Sequence, residues 1–229
     1  MIGIIGAMEI ETRTLCSMLE DERVERISGR DYHVGRLFGR EVVVCTCGIG
    51  KVFAAICTEA MILNYKVELV INTGVAGALS DKLDVCDVVV STAVVQHDMD
   101  TSPLGDPGGL ISGINRVYFD AHAESADKLA GITASLGINT LRGVVASGDQ
   151  FIAGAGAKER IKESFPDAVC AEMEGGAIGH CAYVNDTPFV VLRAISDKAD
   201  GTGSMDYMKF CSIAAENSVK VLCEFIRQM

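Results

Sequence analysis

The sequence predicts an α/β fold, a single domain over residues 1–229 built on a mixed sheet. Three observations lead there. Short apolar runs rich in Val and Ile alternate with segments of helical periodicity along the whole chain, without a repeat, a low-complexity tract or a linker. Several of these runs end in small residues, the pattern of strands whose following loops approach a ligand. Hydrophobic residues make up 49% of the 229, with 24 Gly and no Trp, which suits one large, tightly packed core.

Residues 2–6 form a short apolar strand closed by Gly6, and residues 7–11 open a helix running to about residue 20, buried on Leu15, Met18 and Leu19. Strands follow near residues 24–27, 32–38 and 41–47, with Gly-containing turns between them. Gly48-Ile49-Gly50-Lys51 then leads into a helix with Val52, Ile56, Ala60 and Leu63 on one face. It is not a Walker loop, since no Ser or Thr follows Lys51, nor is it Gly-x-Gly-x-x-Gly. It reads either as backbone approaching a ligand or as a plain tight turn. Residues 68–73 are a strand ending in Gly74-Val75-Ala76-Gly77-Ala78, and residues 87–95 a β-branched strand leading to His97-Asp98-Met99-Asp100. The other ligands of the usual His/Asp metal sites are missing from the sequence, so no metal is expected.

Residues 101–113, with Pro103 and Pro107, form a loop long enough to be functional or an interface element. Residues 120–135 are helical and residues 140–147 a strand. In the turn that follows, Phe151 is either core or a stacking face for a planar ligand. A helix over 157–164, a flexible loop over 201–204 and a last helix over about 206–226, with Phe210, Ala214, Val221 and Phe225 inward, complete the order.

The stretch from 171 to 197 concentrates the chemistry. Its first half has a helical pattern, with Met173, Ala177, Cys181 and Val184 on one face, and its second half, from Pro188, is a buried strand. Glu174 falls in the helix's first turn, where the macrodipole favours an anion. Arg193 lies inside the apolar strand, where its charge requires a partner. Asp197 falls just past the strand's C-terminal end, where open α/β sheets bind ligands.

The formal charge of −11 at pH 7, with no basic cluster, argues against nucleic acid or an anionic membrane as partner. No segment is long and apolar enough to span a bilayer, and the first residues lack the basic flank of a signal peptide. The nine Cys are an odd number, scattered mainly through apolar runs with no Cys-x-x-Cys, and are read as reduced thiols of a cytoplasmic protein.

Six fragments occur here in one order: Gly-Ile-Ile-Gly-Ala-Met-Glu-x-Glu at 3–11, Gly-Ile-Gly-Lys at 48–51, Asn-Thr-Gly-x-Ala-Gly at 72–77, Ser-Gly-Asp-x-Phe-Ile at 147–152, Glu-Met-Glu at 172–174 and Arg-Ala-Ile-Ser-Asp at 193–197. Each alone is weak, but the ordered set resembles the bacterial 5′-methylthioadenosine/S-adenosylhomocysteine nucleosidases of the purine nucleoside phosphorylase superfamily, over nearly the whole chain. The resemblance implies a three-layer α/β/α sandwich around a mixed, barrel-like sheet, a homodimer, and no metal or organic cofactor. The implied reaction is hydrolysis of the N-glycosidic bond of 5′-substituted adenosines to adenine and a 5-thioribose derivative.

The resemblance also implies roles. Asp197, oriented by Ser196, would protonate adenine N7. Phe151 would stack on the base and the backbone of Ile152 would read its edge. Glu174 would bind the ribose hydroxyls, assisted by Met173 and Arg193, and Glu11 with Arg193 would position the attacking water, leaving Glu9 on a solvated face. Met8, Ile49 and Tyr207 would wall the 5′ group, completed by the partner subunit's loop around Thr101 and Leu104. Val75, Ala76, Gly77 and Glu172 are further positions along the substrate. Val75 stands where relatives often carry Ser, and Leu104 and Asp106 where aromatic residues are common, which leaves the preferred 5′ substituent open. Two alternatives compete: ribosyl transfer to phosphate, as in the phosphorylases, and a non-catalytic purine-binding protein.

Overall fold

The computed structural model describes residues 1–199 and 207–229, with side chains from residue 210 onward in the second stretch. The described elements are β1 (Ile2–Gly6), α1 (Glu9–Ser17), β2 (Glu20–Ile27), β3 (Arg30–Leu37), β4 (Arg40–Thr46), α2 (Lys51–Tyr65), β5 (Leu69–Ala78), β6 (Val88–Gln96), β7 (Tyr118–Asp120), α3 (Ala123–Ser135), β8 (Thr140–Ser147), α4 (Ala155–Ser164), β9 (Ala168–Glu172), α5 (Gly175–Val184), β10 (Phe189–Asp197) and α6 (Tyr207–Arg227).

The strands form one mixed sheet in the order β10-β6-β8-β9-β5-β1-β4-β3-β2. β10 also pairs with β5, so β5, β9, β8, β6 and β10 close into a ring, and the remaining strands continue from β5 as an open wing. β5 and β10 can occupy this junction because their sequences are almost wholly buried on both faces. Registry decides where the chemistry meets. Arg193 of β10 pairs with Gly74 of β5, Asp197 with Gly77, Gly77 also with Ala171 of β9, and Ser147 of β8 with Glu172.

One layer of helices, α1, α3 and α6, packs Leu15, Leu129 and Phe225 against the sheet. Opposite it, α2 and α5 contribute Met61 and Ile178 to a second cluster, and α4 joins a third through Ile161 and Phe165. The architecture is the α/β/α sandwich with a barrel-like sheet. No helix among the described residues is long and apolar enough to cross a membrane.

Local readings change in five places. The segment before Gly175 is strand β9, because pairing with β5 and β8 overrides its helical pattern. Glu174 is therefore the N-cap of α5, and the buried side of α5 is Gly175 to Gly179 with Ala182, while Val184 is 53% exposed. On α2 the buried side is Ala54, Cys57 and Met61, which leaves Val52 at 70% and Leu63 at 52% exposure. β5 runs on through Gly74–Ala78, since β10 and β9 supply partners along that stretch. α1 stops at Ser17 and residue 20 begins β2, while residues 118–120 form β7 against β6 rather than the start of a helix. The expected loop at 201–204 lies outside the described residues.

Helix α5 packs tightly because of Gly179. A Cβ there would stand 2.5 Å from Val94 and 2.7 Å from Phe189. Gly131, on the exposed side of α3, would meet nothing within 4 Å. Gly179→Val should therefore destabilise the protein by about 1–3 kcal/mol through overpacking. Gly131→Ala should stabilise it by up to about 1 kcal/mol through helix propensity. Urea midpoints at constant m-value check both, and equal shifts would contradict the packing.

Candidate active site

A cavity of about 100 Å³ is lined by Glu11, Glu174, Arg193 and Asp197 together with Met8, Ile49, Val75, Ala76, Gly77, Phe151, Ile152, Glu172, Met173 and Ser196. Ala7, Gln150 and Ala171, which sequence reasoning did not single out, complete the lining. Thr101 and Leu104 are not part of it, and Leu104 is 83% exposed on its loop. Tyr207 opens α6, and its side chain lies outside the described part.

Arg193 is fully buried and anchors the site. Its Nη1 donates to the Val75 carbonyl (3.2 Å), and its Nη2 meets Asn72 Oδ1 (2.6 Å), Glu172 Oε2 and Glu174 Oε2 (3.2 Å). Nε has no partner among the described residues. Glu11 reaches the same place from α1. Its Oε2 accepts from the N–H groups of Ala7 (2.7 Å) and Met8 (2.9 Å), and its Oε1 from Val75 N–H (3.0 Å). Gly74 makes room for both. A Cβ at that position would stand 2.4 Å from Arg193 Nη1 and 2.5 Å from Glu11 Oε1, so any side chain would drive the two groups apart.

Glu174 Oε1 accepts from Gly50 N–H (2.8 Å). Gly50 has φ of 102°, a left-handed conformation that glycine adopts without strain, so the Gly-Ile-Gly-Lys turn docks a site carboxylate with its backbone. Next to it, Lys51 Nζ pairs with Asp98 (2.6 Å), Lys51 N–H donates to Asp149 Oδ1 (2.8 Å), and Asp149 N–H donates to Asp98 Oδ2 (2.9 Å). This network ties the loops after β4, β6 and β8 together at the cavity's rim and explains the His-Asp pair without a metal. At the far wall, Asp197 Oδ2 accepts from Ser196 Oγ (2.9 Å) and Oδ1 from Ala199 N–H (2.8 Å).

Three carboxylates, Glu11, Glu172 and Glu174, thus surround one guanidinium. Burial works against the charge of Arg193, yet the carboxylates hold its pKa above the ordinary value. Burial also raises Glu11, opposed by Arg193 and by the three backbone donors. Glu174 is raised to about 7, first by burial and further by Glu172 and Glu11, against the pull of Arg193 and Gly50. One buried cation cannot stabilise every negative charge around it, so part of the cluster accepts a proton near neutral pH.

Residues 1–227 match the sequence model of the phosphorylase superfamily. The chain belongs to this superfamily. Within it, the chain is similar to the 5′-methylthioadenosine/S-adenosylhomocysteine nucleosidase of Neisseria meningitidis, solved with methylthio-immucillin-A, at 32% identity and a TM-score of 0.96, covering 100% of this chain and 99% of that one. It is similar to the S-adenosylhomocysteine nucleosidase of Streptococcus pyogenes, solved with 5-methylthiotubericidin, at 32% identity and 0.95, covering 100% and 96%. It is also similar to the futalosine hydrolase of Helicobacter pylori, at 31% identity and 0.94, covering 100% and 97%. As a member of the superfamily with nucleosidase neighbours, the chain sits on the scaffold the motifs implied.

The charge excess has a cost in stability. A carboxyl with a raised folded-state pKa binds a proton more tightly folded than unfolded, so its contribution falls as pH rises from the unfolded value of 4.5 to about 7 and is flat above. Glu174→Gln should therefore raise the melting temperature above pH 7 by at least about 2–4 °C, with the gain shrinking toward pH 4.5. Calorimetry across that range checks this. A variant less stable than wild type at pH 8 would show that Arg193 needs the Glu174 charge more than the cluster suffers from it.

Proposed function

We propose that this chain hydrolyses the N-glycosidic bond of 5′-substituted adenosines, with 5′-methylthioadenosine and S-adenosylhomocysteine as substrates, releasing adenine and the free sugar. The observation that carries this reading is the convergence of Glu11 and Arg193 over Gly74 in a cavity that also holds Glu174 and Asp197. Water held between Glu11 and Arg193 attacks C1′, and Glu11, kept a stronger base than usual by burial, accepts its proton. Glu174 takes the ribose hydroxyls and, with Glu11, lends anionic charge to the oxocarbenium-like sugar. Asp197, steadied by Ser196, delivers a proton to N7, so that adenine leaves neutral. Phe151 stands at the rim as the base-stacking face, and Val75 gives Glu11 its N–H but offers the water no hydroxyl. Both thionucleoside and futalosine enzymes are among the similar structures, and the 5′ group would meet Met8 and Ile49 here, an apolar wall that suits an alkylthio group.

A phosphorylase would have to seat a dianion beside C1′. Around that place this chain sets Glu11 and Glu174, with Arg193 already engaged by Glu172, and a phosphate would meet repulsion. Adenine should be released equally fast without phosphate and with tens of millimolar phosphate, and Asp197→Asn should lower kcat by about 10²–10⁴-fold in a folded protein. Glu11→Gln should likewise abolish turnover, and Glu9→Gln should leave it near normal. Strict phosphate dependence with a sugar 1-phosphate as product would refute the hydrolase reading, and normal turnover in Asp197→Asn would refute the acid.

The same reading includes a homodimer. Val52, Ile56 and Leu63 of α2 and Val184 of α5 border an open depression of about 790 Å³ on the outer face of these helices. An exposed apolar patch of this kind marks a protein interface. The N-terminal ends of both helices carry site groups, Gly50 and Glu174, so a partner seated here would close the cavity's rim, where the Leu104 loop of the second subunit completes the wall. Light scattering should give a dimer mass at micromolar concentration, and Leu63→Glu should yield monomers with at least about tenfold lower kcat/KM. A fully active monomer would overturn the assignment.

A further inference from the structure

Glu172 stands apart from the other two carboxylates of the cluster. Its Oε1 accepts from Ser147 Oγ and from Gly175 N–H (3.0 Å), and its Oε2 from Gly175 N–H (2.8 Å), Glu174 N–H (3.0 Å) and Arg193 Nη2. A carboxylate offers about four acceptor positions, and four donors fill these. A substrate hydroxyl could bind Glu172 only by displacing one of them. Glu174 is the reverse case, with one donor from Gly50 (2.8 Å) and one longer contact from Arg193 (3.2 Å).

The count on Arg193 Nη2 points the same way. That nitrogen carries two hydrogens and faces three acceptors. Asn72 (2.6 Å) and Glu172 are the nearer two, and Glu174 is the farthest at 3.2 Å. Ser147 fixes the arrangement from behind, because its hydroxyl bonds Glu172 and accepts from Gly176 N–H (2.5 Å).

We infer that Glu172 is a positioning residue: it saturates Arg193 and the first N–H groups of α5, and so leaves Glu174 free to accept from the substrate's ribose hydroxyls, a role that rests on the nucleosidase reading above. The groups facing Glu174 are Arg193 on β10, Glu172 on β9, Glu11 on α1, Gly50 N–H before α2, and the Cys47 thiol after β4. Among the side chains, only Arg193 favours its ionised form. Removing the charge of Glu172 both deletes a like-charged neighbour and releases an Arg193 hydrogen to Glu174, and both effects keep Glu174 ionised to lower pH.

The test is Glu172→Gln in the full-length protein, with adenine release from 5′-methylthioadenosine and its 2′-deoxy analogue followed from pH 5 to 9. The acid limb of kcat/KM should move down by about one pH unit. kcat should fall roughly tenfold or more as Glu174 is drawn onto Arg193. The KM ratio of the two substrates should stay at its wild-type value. A KM increase confined to the ribosyl substrate would mean that Glu172 itself touches a hydroxyl, and a uniform loss with an unmoved limb would mean a scaffold residue only; either overturns the inference. If Glu172→Gln does not fold, Glu172→Asp keeps the charge and loses the reach. It should lower kcat with the limb in place, and wild-type kcat there would also overturn the inference. The 13Cδ titration of Glu174 needs no turnover and should show its midpoint lowered in Glu172→Gln. If wild-type protein releases no adenine yet that midpoint moves, the nucleosidase reading fails while the Glu172–Glu174 coupling stands.

Discussion

A buried guanidinium in the middle of a strand organises this molecule. Arg193 is 1% exposed on β10, at the seam where the sheet closes on itself through β5. Breaking a buried ion pair by removing one partner costs about 3–5 kcal/mol, so each neighbouring element must deliver an acceptor for this charge. β5 supplies Asn72 and the Val75 carbonyl, β9 supplies Glu172, and the cap of α5 supplies Glu174. The strands that close the barrel are thus the strands that neutralise the arginine, and barrel closure and site assembly are one event.

The site's carboxylates are held mainly by backbone. Glu11 takes three N–H groups, Glu172 two and Glu174 one. Backbone donors on strands and helix ends do not swing as side chains do, so each carboxylate keeps its aim without a second charge beside it. This leaves the cluster with one guanidinium and an excess of negative charge, which is where a cationic sugar in flight from its base gains most.

Much of this was legible in the sequence, and the limits are physical. Arg193 could be found because a charge inside an apolar β-branched run demands a partner. Asn72 carries the same signal, a polar side chain within Leu-Val-Ile-Asn-Thr, and it was passed over because an amide is a weaker anomaly than a charge. The β9 strand was hidden because Ala-Val-Cys-Ala-Glu is too short for period alone to separate strand from helix, and only its pairing with β5 and β8 decides. On α2 the larger apolar residues, Val52, Ile56 and Leu63, mark a stripe, but the helix is apolar on both sides and the smaller residues face the sheet. Periodicity finds a face without saying what covers it. The Gly50–Glu174 bond joins residues 124 positions apart, and nothing local encodes it.

Scaffold and reaction are separable here, because one superfamily holds both phosphorylases and nucleosidases. Closing the barrel needs a buried cation at Arg193 and acceptors around it, but it does not fix how many of those acceptors are charged. Were neutral donors to stand where Glu11 and Glu174 stand, the same guanidinium would have spare attraction for an anion. With carboxylates there, the guanidinium is already compensated by Glu172 and the local field is negative. A neutral water can enter that field without electrostatic cost, and a phosphate dianion cannot. The choice of nucleophile therefore lies in the charge balance around one arginine, set by two side chains that reach it from α1 and from the cap of α5.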